Sequence, residues 1–355
     1  MRSTYWMLVT LLLTGTFAHA HEWHRHDSDG HSNTGAVELA ESKLPPAQFL
    51  IATEAAKPAA AKHFEHFKNV KVRWDANTLY VESNGIPDHN MMVGIRAWQQ
   101  QVPIPQPFNG QNSWKIPLNP KLALNPINAK ETSFRGAIAV AVNGVPIFSA
   151  LNNRGVDAYL AGELDNWGGH CGRGDDYHYH TAPVHLQETV GKGNPIAYAL
   201  DGFPIYGLTE ADGSLVGKLD ALNGQFDQDG NYHYHATKTY PYINGGVRGV
   251  VDYRNGEIAS QPRDSPIRPG QQPLRGAKIT DFRNDGKQSV LTYEIQGRKG
   301  TISYSSVGTD SYEFTYTPPD GHSRSETYQR RRRGDGRRGH DQRRPPPRGQ
   351  KPPRR

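Results

Sequence analysis

The feature that most constrains the fold is a strict alternation of tyrosine and histidine that occurs twice. Residues 177–180 and residues 232–235 both read Tyr-His-Tyr-His. In a β-strand, side chains at positions i and i+2 leave the same face, so each stretch places two imidazoles on one face and two phenol rings on the other. Neutral imidazole is a good ligand for zinc, copper, iron and nickel. Each stretch is therefore predicted to be a strand that presents a two-histidine arm to a metal ion.

A strand with a buried aromatic face and a polar outer face would explain one such stretch without any metal. The second copy favours the metal interpretation, and so do further candidate ligands on both sides of the first copy. The predicted metal ligands are His178, His180, His233, His235, His170, Cys171 and His185.

The repeat extends beyond the two tetrapeptides. Residues 143–148 (Asn-Gly-Val-Pro-Ile-Phe) precede the first arm, and residues 201–206 (Asp-Gly-Phe-Pro-Ile-Tyr) precede the second. Each unit reads as a turn with a strand, a glycine-rich excursion and a closing His-x-His strand. A pseudo-two-fold relation between the units could bring both arms to one ion, which is the arrangement that we predict. Two independent sites are the alternative.

Six short motifs occur in order at residues 143–148, 151–155, 168–172, 176–180, 193–202 and 231–242. Together they resemble the YHYH-domain family, which consists of secreted or envelope proteins named for this tetrapeptide. The resemblance spans roughly residues 68–265. It implies a domain identity and an extracytoplasmic setting but no activity, so function has to be argued from the site.

Composition indicates short strands and many turns rather than long helices. The chain has 37 glycines and 26 prolines among 355 residues, and only 35% of its residues are hydrophobic. The predicted fold is mostly β, an irregular Gly- and Pro-rich β-sandwich-like or barrel-like domain with an internal duplication and a C-terminal β-meander. The predicted divisions are a signal peptide (1–20), a His- and Ala-rich flexible segment (21–67), the YHYH domain (68–270), a β-meander of four strands (271–320) and a disordered Arg- and Pro-rich tail (321–355).

The N-terminus has the order of a secretory signal peptide. Arg2 precedes an apolar run over residues 5–17, which is followed by Ala18-His19-Ala20. The run is too short to span a bilayer as a mature helix, so we expect an exported protein without a transmembrane anchor, in the periplasm, at the cell surface or outside the cell. An anchor left by failed cleavage is the alternative. Cleavage after Ala20 would expose His21, whose free amine and ring could chelate copper, although a polar flexible arm is the alternative.

Cys171 and His89 are two further candidate metal ligands whose roles depend on their surroundings. Cys171 is the single cysteine, so it has no intramolecular disulfide partner and is a buried thiol, a reactive thiol or a metal ligand. A thiolate ligand would favour copper, because soft sulfur beside imidazole suits that ion, and otherwise the predicted metal is copper or zinc. His89 follows a predicted hairpin in a loop, where ligands commonly lie, and is a weaker candidate.

The positive charge of the chain is concentrated at its end. From Arg324 to Arg355 there are 13 Lys and Arg against 3 Asp and Glu, so this segment exceeds the +6 of the whole chain and leaves the rest mildly acidic. For an exported protein, the expected partners of such a tail are anionic cell-wall polymer, lipid headgroups or polysaccharide rather than a specific nucleic acid. A tail that only increases solubility is the alternative.

Three classes of function fit these observations. The first is a metal-binding module whose ligands saturate the ion, as in structural sites. The second is a metalloenzyme, a hydrolase or copper oxidoreductase, in which one coordination position stays open and Asp176, Asp201 or Glu163 serves as general base or orients a ligand. The third is a non-catalytic surface attachment protein with incidental histidines. The chain has no Gly-x-Ser-x-Gly, phosphate-binding loop or His-Glu-x-x-His motif.

Overall fold

The computed structural model describes residues 56–259, 261–263 and 265–330. The predicted signal peptide, His21 and residues 331–355 lie outside the described residues. Within them, α1 (Ala61–Phe64) and α2 (Gln187–Val190) have four residues each, and two 3-10 turns lie at Gly110–Asn112 and Val184–Leu186. No helix in this part of the chain has the length and apolar character needed to cross a membrane.

A three-stranded antiparallel sheet begins the strand-rich part. It consists of β1 (Lys71–Trp74), β2 (Thr78–Glu82) and β3 (Trp114–Pro117). The predicted β1–β2 hairpin is confirmed, and its turn is closed by Asp75, whose Oδ1 accepts the backbone N–H groups of Asn77 and Thr78, both at 2.8 Å. An Asp that bonds the backbone two and three residues ahead stabilises such a turn. The next strand is β4 (Leu122–Asn128).

The central element is a mixed sheet of eight strands. They are β5 (Ala137–Ala141), β6 (Pro146–Phe148), β7 (Gly169–Cys171), β8 (Tyr177–Tyr179), β9 (Ala197–Ala199), β10 (Pro204–Tyr206), β11 (Gly224–Phe226) and β12 (Tyr232–His235). Their order across the sheet is β11-β12-β10-β9-β5-β6-β8-β7. Every residue of β5 is buried, as expected for a small apolar run at the centre of a sheet.

The strand order makes the internal duplication visible. The sequence β5-β6-β8-β7 on one side is repeated as β9-β10-β12-β11 on the other, and the two halves meet where β5 pairs antiparallel with β9. Equivalent parallel pairs join β6 to β8 through Ile147 and Tyr179, and β10 to β12 through Ile205 and Tyr234. The predicted duplication is therefore confirmed, with its pseudo-two-fold axis between β5 and β9.

This axis separates the two histidine arms. Strands β8 and β12 are five strand spacings apart in the sheet order, which corresponds to about 24 Å along a sheet with the usual spacing of about 4.8 Å. The prediction that both arms close around one ion is therefore wrong. A pseudo-two-fold through the middle of a sheet places equivalent peripheral strands at opposite ends, because each half extends outward from the axis.

The remaining strands follow the second arm. They are β13 (Gly246–Gly249), which pairs with β4, the hairpin β14 (Tyr253–Arg254) and β15 (Glu257–Ile258), and the C-terminal sheet β16 (Lys278–Asn284), β17 (Ser289–Ile295), β18 (Arg298–Gly308), β19 (Ser311–Thr317) and β20 (Arg324–Gln329). The predicted meander has a fifth strand, β20, in the segment predicted to be disordered from residue 321. None of the sheets in the described residues closes into a barrel.

The C-terminal sheet packs on the rest of the described chain. Backbone bonds of 3.0 Å join Gly94 N–H to the Ile279 carbonyl and Ile279 N–H to the Ile95 carbonyl. The Tyr304 hydroxyl donates to the carbonyl of Pro103, and Phe314 is fully buried. Burial of one such aromatic ring contributes about 1.5–3 kcal/mol relative to leaving it in water. This packing continues the core beneath the first arm.

Candidate metal sites

Two groups of side chains in the described residues could hold a metal ion. In the first, β7 pairs antiparallel with β8 so that His170 lies directly opposite His178. His180, the residue after β8, leaves the same face as His178 because strand side chains alternate. The three rings converge with centroids 4.8–5.0 Å apart and form the three-histidine cluster (His170, His178 and His180).

Backbone carbonyls fix the orientation of these rings. Nδ1 of His178 donates to the Asp176 carbonyl at 2.9 Å, and Nδ1 of His180 donates to the Ser149 carbonyl at 2.5 Å. A proton held on Nδ1 leaves Nε2 as the atom with a free lone pair, which is how second-sphere groups prepare a histidine for a metal. In addition, Phe148 stacks on the ring of His178 with centroids 3.9 Å apart.

The spacing of the ring nitrogens fits a bound ion. Nε2 of His170 lies 3.1 Å from Nε2 of His180, and the candidate ligand atoms of the cluster lie within 4.8 Å of one another. Two nitrogens bound to a tetrahedral ion with bonds of about 2.0–2.1 Å would be separated by about 3.4 Å. Only a small adjustment of the rings would bring them to that distance.

Burial favours the neutral form of His170 and His180. Burial lowers the pKa of His180 to about 3 and that of His170 well below its usual range, and the neighbouring His178 ring lowers both further. Desolvation disfavours the imidazolium form, and a second positive ring at this distance would be repelled. At neutral pH His170 and His180 are therefore uncharged, which is the form of imidazole that binds metal ions.

The three-histidine cluster opens into a cleft. The cleft has a volume of about 360 Å³ and is lined by the three histidines together with Glu163, Arg135, Arg154 and Arg173. The carboxylate of Glu163 accepts hydrogen bonds from Arg154 and from Asn152. A cavity of this size admits a small ligand beside the ring nitrogens.

Cys171, a candidate ligand predicted from the sequence, lies outside the three-histidine cluster. It pairs with Tyr177 across β7 and β8, and its side chain lies in the core on the tyrosine face. Burial raises the pKa of its thiol well above the usual range, with nearby carboxylates such as Asp175 adding to this effect. The thiolate is the form that binds metals, so a thiol that stays protonated in the core is unreactive. This environment favours the buried-thiol alternative for Cys171.

The candidate ligands His185 and His89 also lie outside the three-histidine cluster. They contact each other on the tyrosine face, with ring centroids 5.0 Å apart, and Trp167 stacks on His89 at 4.7 Å. His89 Nε2 lies 2.7 Å from the Tyr179 hydroxyl. Burial lowers the pKa of His185 to about 4, and the neighbouring His89 ring lowers it further.

Acidification is expected to destabilise the metal-free protein partly through His185. Between pH 6.5 and 4 the unfolded chain protonates this ring while the folded chain does not, so the free energy of unfolding falls as pH falls through this window. We expect His185→Gln to show a smaller loss than the parent when urea unfolding of chelator-treated protein is compared at pH 7 and pH 4.5. An equal pH dependence in both proteins would contradict this assignment.

The four motif tyrosines are core residues, as the alternation predicts. Tyr177 and Tyr232 donate to Asp165 and Asp220, both at 2.8 Å, so the same bond occurs once in each repeat, buried in the first and partly buried in the second. Gly169 is required beside this bond, because a Cβ atom there would lie 2.4 Å from the Tyr177 hydroxyl. The two aspartates were not identified from the sequence, although each lies 12 residues before its tyrosine.

The three predicted acid–base candidates have different surroundings. Asp201 is buried on the tyrosine face and outside the three-histidine cluster, where it accepts from Tyr234 at 2.6 Å and from backbone N–H groups including that of Gly249. Asp176 lies behind the His178 ring, on the Nδ1 side, and can orient that ring. Glu163 lines the cleft and is the candidate that faces a ligand there.

The second arm has a different third member. His233 and His235 converge with Glu210 rather than with a third histidine, and we call this group the Glu–His–His cluster. Gln225 occupies the position opposite His233 that His170 occupies opposite His178. Glu210 was not identified from the sequence because it lies far from the arm along the chain. An alignment of the two repeats shows that Gln225 stands where the first repeat has His170.

Comparison with known protein families gives a match to part of the chain. Residues 113–216 match a family model described as YHYH protein. This range includes the three-histidine cluster but ends before the second arm, and it is narrower than the predicted span of 68–265. No curated protein and no solved structure matches the chain.

Proposed function

We propose that this chain, whose residues 113–216 match the YHYH family model, belongs to that family and is an exported transition-metal-binding protein. His170, His178 and His180 would hold the ion. The observation that supports this most directly is the convergence of three imidazoles, two of which have Nε2 atoms 3.1 Å apart. Zinc and copper both suit imidazole ligands, and the position of Cys171 on the opposite face removes the argument for copper based on sulfur, so zinc is the better fit.

The ends of the chain would supply the setting for this activity. A signal peptide at residues 1–20 would export the protein, and the histidines after His21 would collect metal ions at low affinity. The arginine-rich C-terminal end would attach to anionic polymer, lipid headgroups or polysaccharide.

Metal content tests the proposal. The full chain would be purified without chelator, in a background where His21, His24, His26 and His31 are alanine so that the N-terminal histidines do not contribute. We expect stoichiometric zinc or copper by elemental analysis that survives dialysis against a weak chelator. Protein that is folded and free of metal after this procedure, and that binds none when Zn²⁺ is added, would contradict metal binding and favour a surface attachment protein.

A metal-dependent enzyme is the second candidate function, and the cleft favours it. The cluster supplies three protein ligands rather than four, and open sites with three protein ligands are typical of catalytic zinc. A metal ion there would supply Lewis-acid chemistry. Arg135, Arg154 and Arg173 line the same cleft and favour a substrate with a phosphate, sulfate or carboxylate group. Turnover of anionic esters that requires the metal and Glu163 separates this candidate from a module that only binds metal.

A further inference from the structure

We propose that Glu210, His233 and His235 form a second, independent site for a divalent transition-metal ion such as Zn²⁺ or Fe²⁺. Their candidate ligand atoms lie within 4.8 Å of one another, in the half of the duplicated sheet remote from the three-histidine cluster. Two histidines with one carboxylate form a known ligand set for zinc and for non-haem iron. The site is independent of the function proposed above and does not require it.

His235 supplies the observation that points to a ligand. Its side chain is 1% exposed, and its Nε2 atom is buried without a hydrogen-bond partner. Nδ1 of the same ring donates to the Gly207 carbonyl at 3.0 Å, so the unpartnered nitrogen faces the interior of the Glu–His–His cluster. A buried polar atom without a partner is unfavourable, and a metal ion at this position would remove that cost.

The carboxylate and the second histidine complete the geometry. Oε2 of Glu210 lies 3.5 Å from Nε2 of His235, which is too far and too poorly directed for a hydrogen bond but close to the separation of two ligands on one ion. The side-chain amide of Gln225 lies 2.6 Å from Glu210 Oε1 and 3.3 Å from His233 Nε2. Gln225 therefore holds the carboxylate on the side where the first cluster has His170, and its hydrogen bond to His233 Nε2 would be replaced if that nitrogen binds the ion.

The duplication explains what the two sites have in common, and one changed position explains how their ligand sets differ. The ring of His235 is held by the Gly207 carbonyl as the ring of His180 is held by the Ser149 carbonyl, so each repeat positions its second histidine in the same way. Gln225 stands at the position of His170 in the second repeat, and the third candidate ligand is instead the carboxylate of Glu210, which follows β10. A carboxylate adds a negative charge, which favours harder divalent ions over copper(I).

The test counts tightly bound ions in the full chain. The parent would carry alanine at His21, His24, His26 and His31, and Zn²⁺ would be titrated in competition with a chelator. We expect two ions in the parent, and we expect His235→Ala to lose one ion while keeping the ion of the three-histidine cluster. Glu210→Gln, which keeps the shape of a partly exposed side chain, is expected to weaken the same ion at least about 10-fold.

A gain of affinity provides the matched control. Gln225→His restores the ligand pattern of the first repeat and is expected to tighten the second ion about 10-fold or more, since it adds a nitrogen ligand. The absorption spectrum of bound Co²⁺ would change with it. Parent protein that holds only one ion, with His235→Ala and Glu210→Gln folded and unchanged in stoichiometry and affinity, would overturn the proposal even if the three-histidine cluster binds metal.

Discussion

Replacing His180 with alanine is expected to weaken Zn²⁺ binding at the three-histidine cluster by at least about 100-fold. Loss of an outer partner of a metal ligand already costs about 10–100-fold in affinity, and loss of the ligand itself should cost at least as much. The effect should be large because the remaining rings, His170 and His178, cannot hold the ion as firmly with two bonds. Competition of Zn²⁺ with a chromophoric chelator measures this change.

The control for this prediction is His66→Ala. His66 is exposed and lies outside the two candidate metal clusters of the described residues. Its replacement therefore removes a histidine without changing either cluster. His178→Gln, which keeps most of the side-chain volume, serves as a second variant if the cavity left by His180→Ala unfolds the protein. Binding by folded His180→Ala and His178→Gln that matches the parent would show that the cluster holds no ion.

Arg268→Ala is expected to lower the free energy of unfolding by about 3–5 kcal/mol. Arg268 and Asp175 are almost completely buried, and two nitrogens of the guanidinium lie 2.7 Å from the two carboxylate oxygens. Truncation of the arginine leaves a buried carboxylate without its counter-charge, and burial already raises the pKa of Asp175. Urea unfolding monitored by tryptophan fluorescence gives the change.

The position of this ion pair explains why the effect should be global. Asp175 directly precedes the Asp176 carbonyl that orients His178, and Arg268 Nη1 donates to the Tyr316 hydroxyl on β19 at 3.2 Å. The pair thus joins the first histidine arm to the C-terminal sheet. A variant that loses it should unfold at lower urea without a change in the slope of the transition, provided that the whole unit unfolds together.

Two comparisons separate loss of charge compensation from simple loss of an arginine. Arg254→Ala removes an exposed pair with Asp252 and should cost less than about 1 kcal/mol. Adding Asp175→Asn to Arg268→Met should recover much of the loss, because no uncompensated charge then remains in the core. A loss in Arg268→Ala no larger than that in Arg254→Ala would mean that the buried pair does not stabilise the fold.

Much of the local structure follows from short-range patterns. The Tyr-His alternation predicts strands with buried phenol rings, and residues 177–179 and 232–235 have this arrangement. The hairpin at Asp75 and the meander after residue 277 follow from period-two alternation and turn residues. The fifth strand of the meander was missed because a sequence rich in charge, such as Arg324–Gln329, gives little apolar signal at an exposed edge.

The composition of each cluster could be predicted only in part. His170 was included because it lies close to the first arm in sequence, whereas Glu210 is brought to the second arm by the chain that follows β10. Cys171 is adjacent to His170 in sequence but leaves the opposite face of β7, and this one-residue difference removes it from the site.

The sequence by itself determined that each repeat ends in a strand with two imidazoles on one face, because alternation along an extended backbone is a local property. Only the tertiary structure decided which side chain completes each cluster and how far apart the clusters lie. Those features depend on which strands pair. The antiparallel pairing of β5 with β9 at the centre places the two histidine arms toward opposite ends of the sheet. Strand pairing between distant segments reflects packing of the whole core, which no short stretch of the chain encodes.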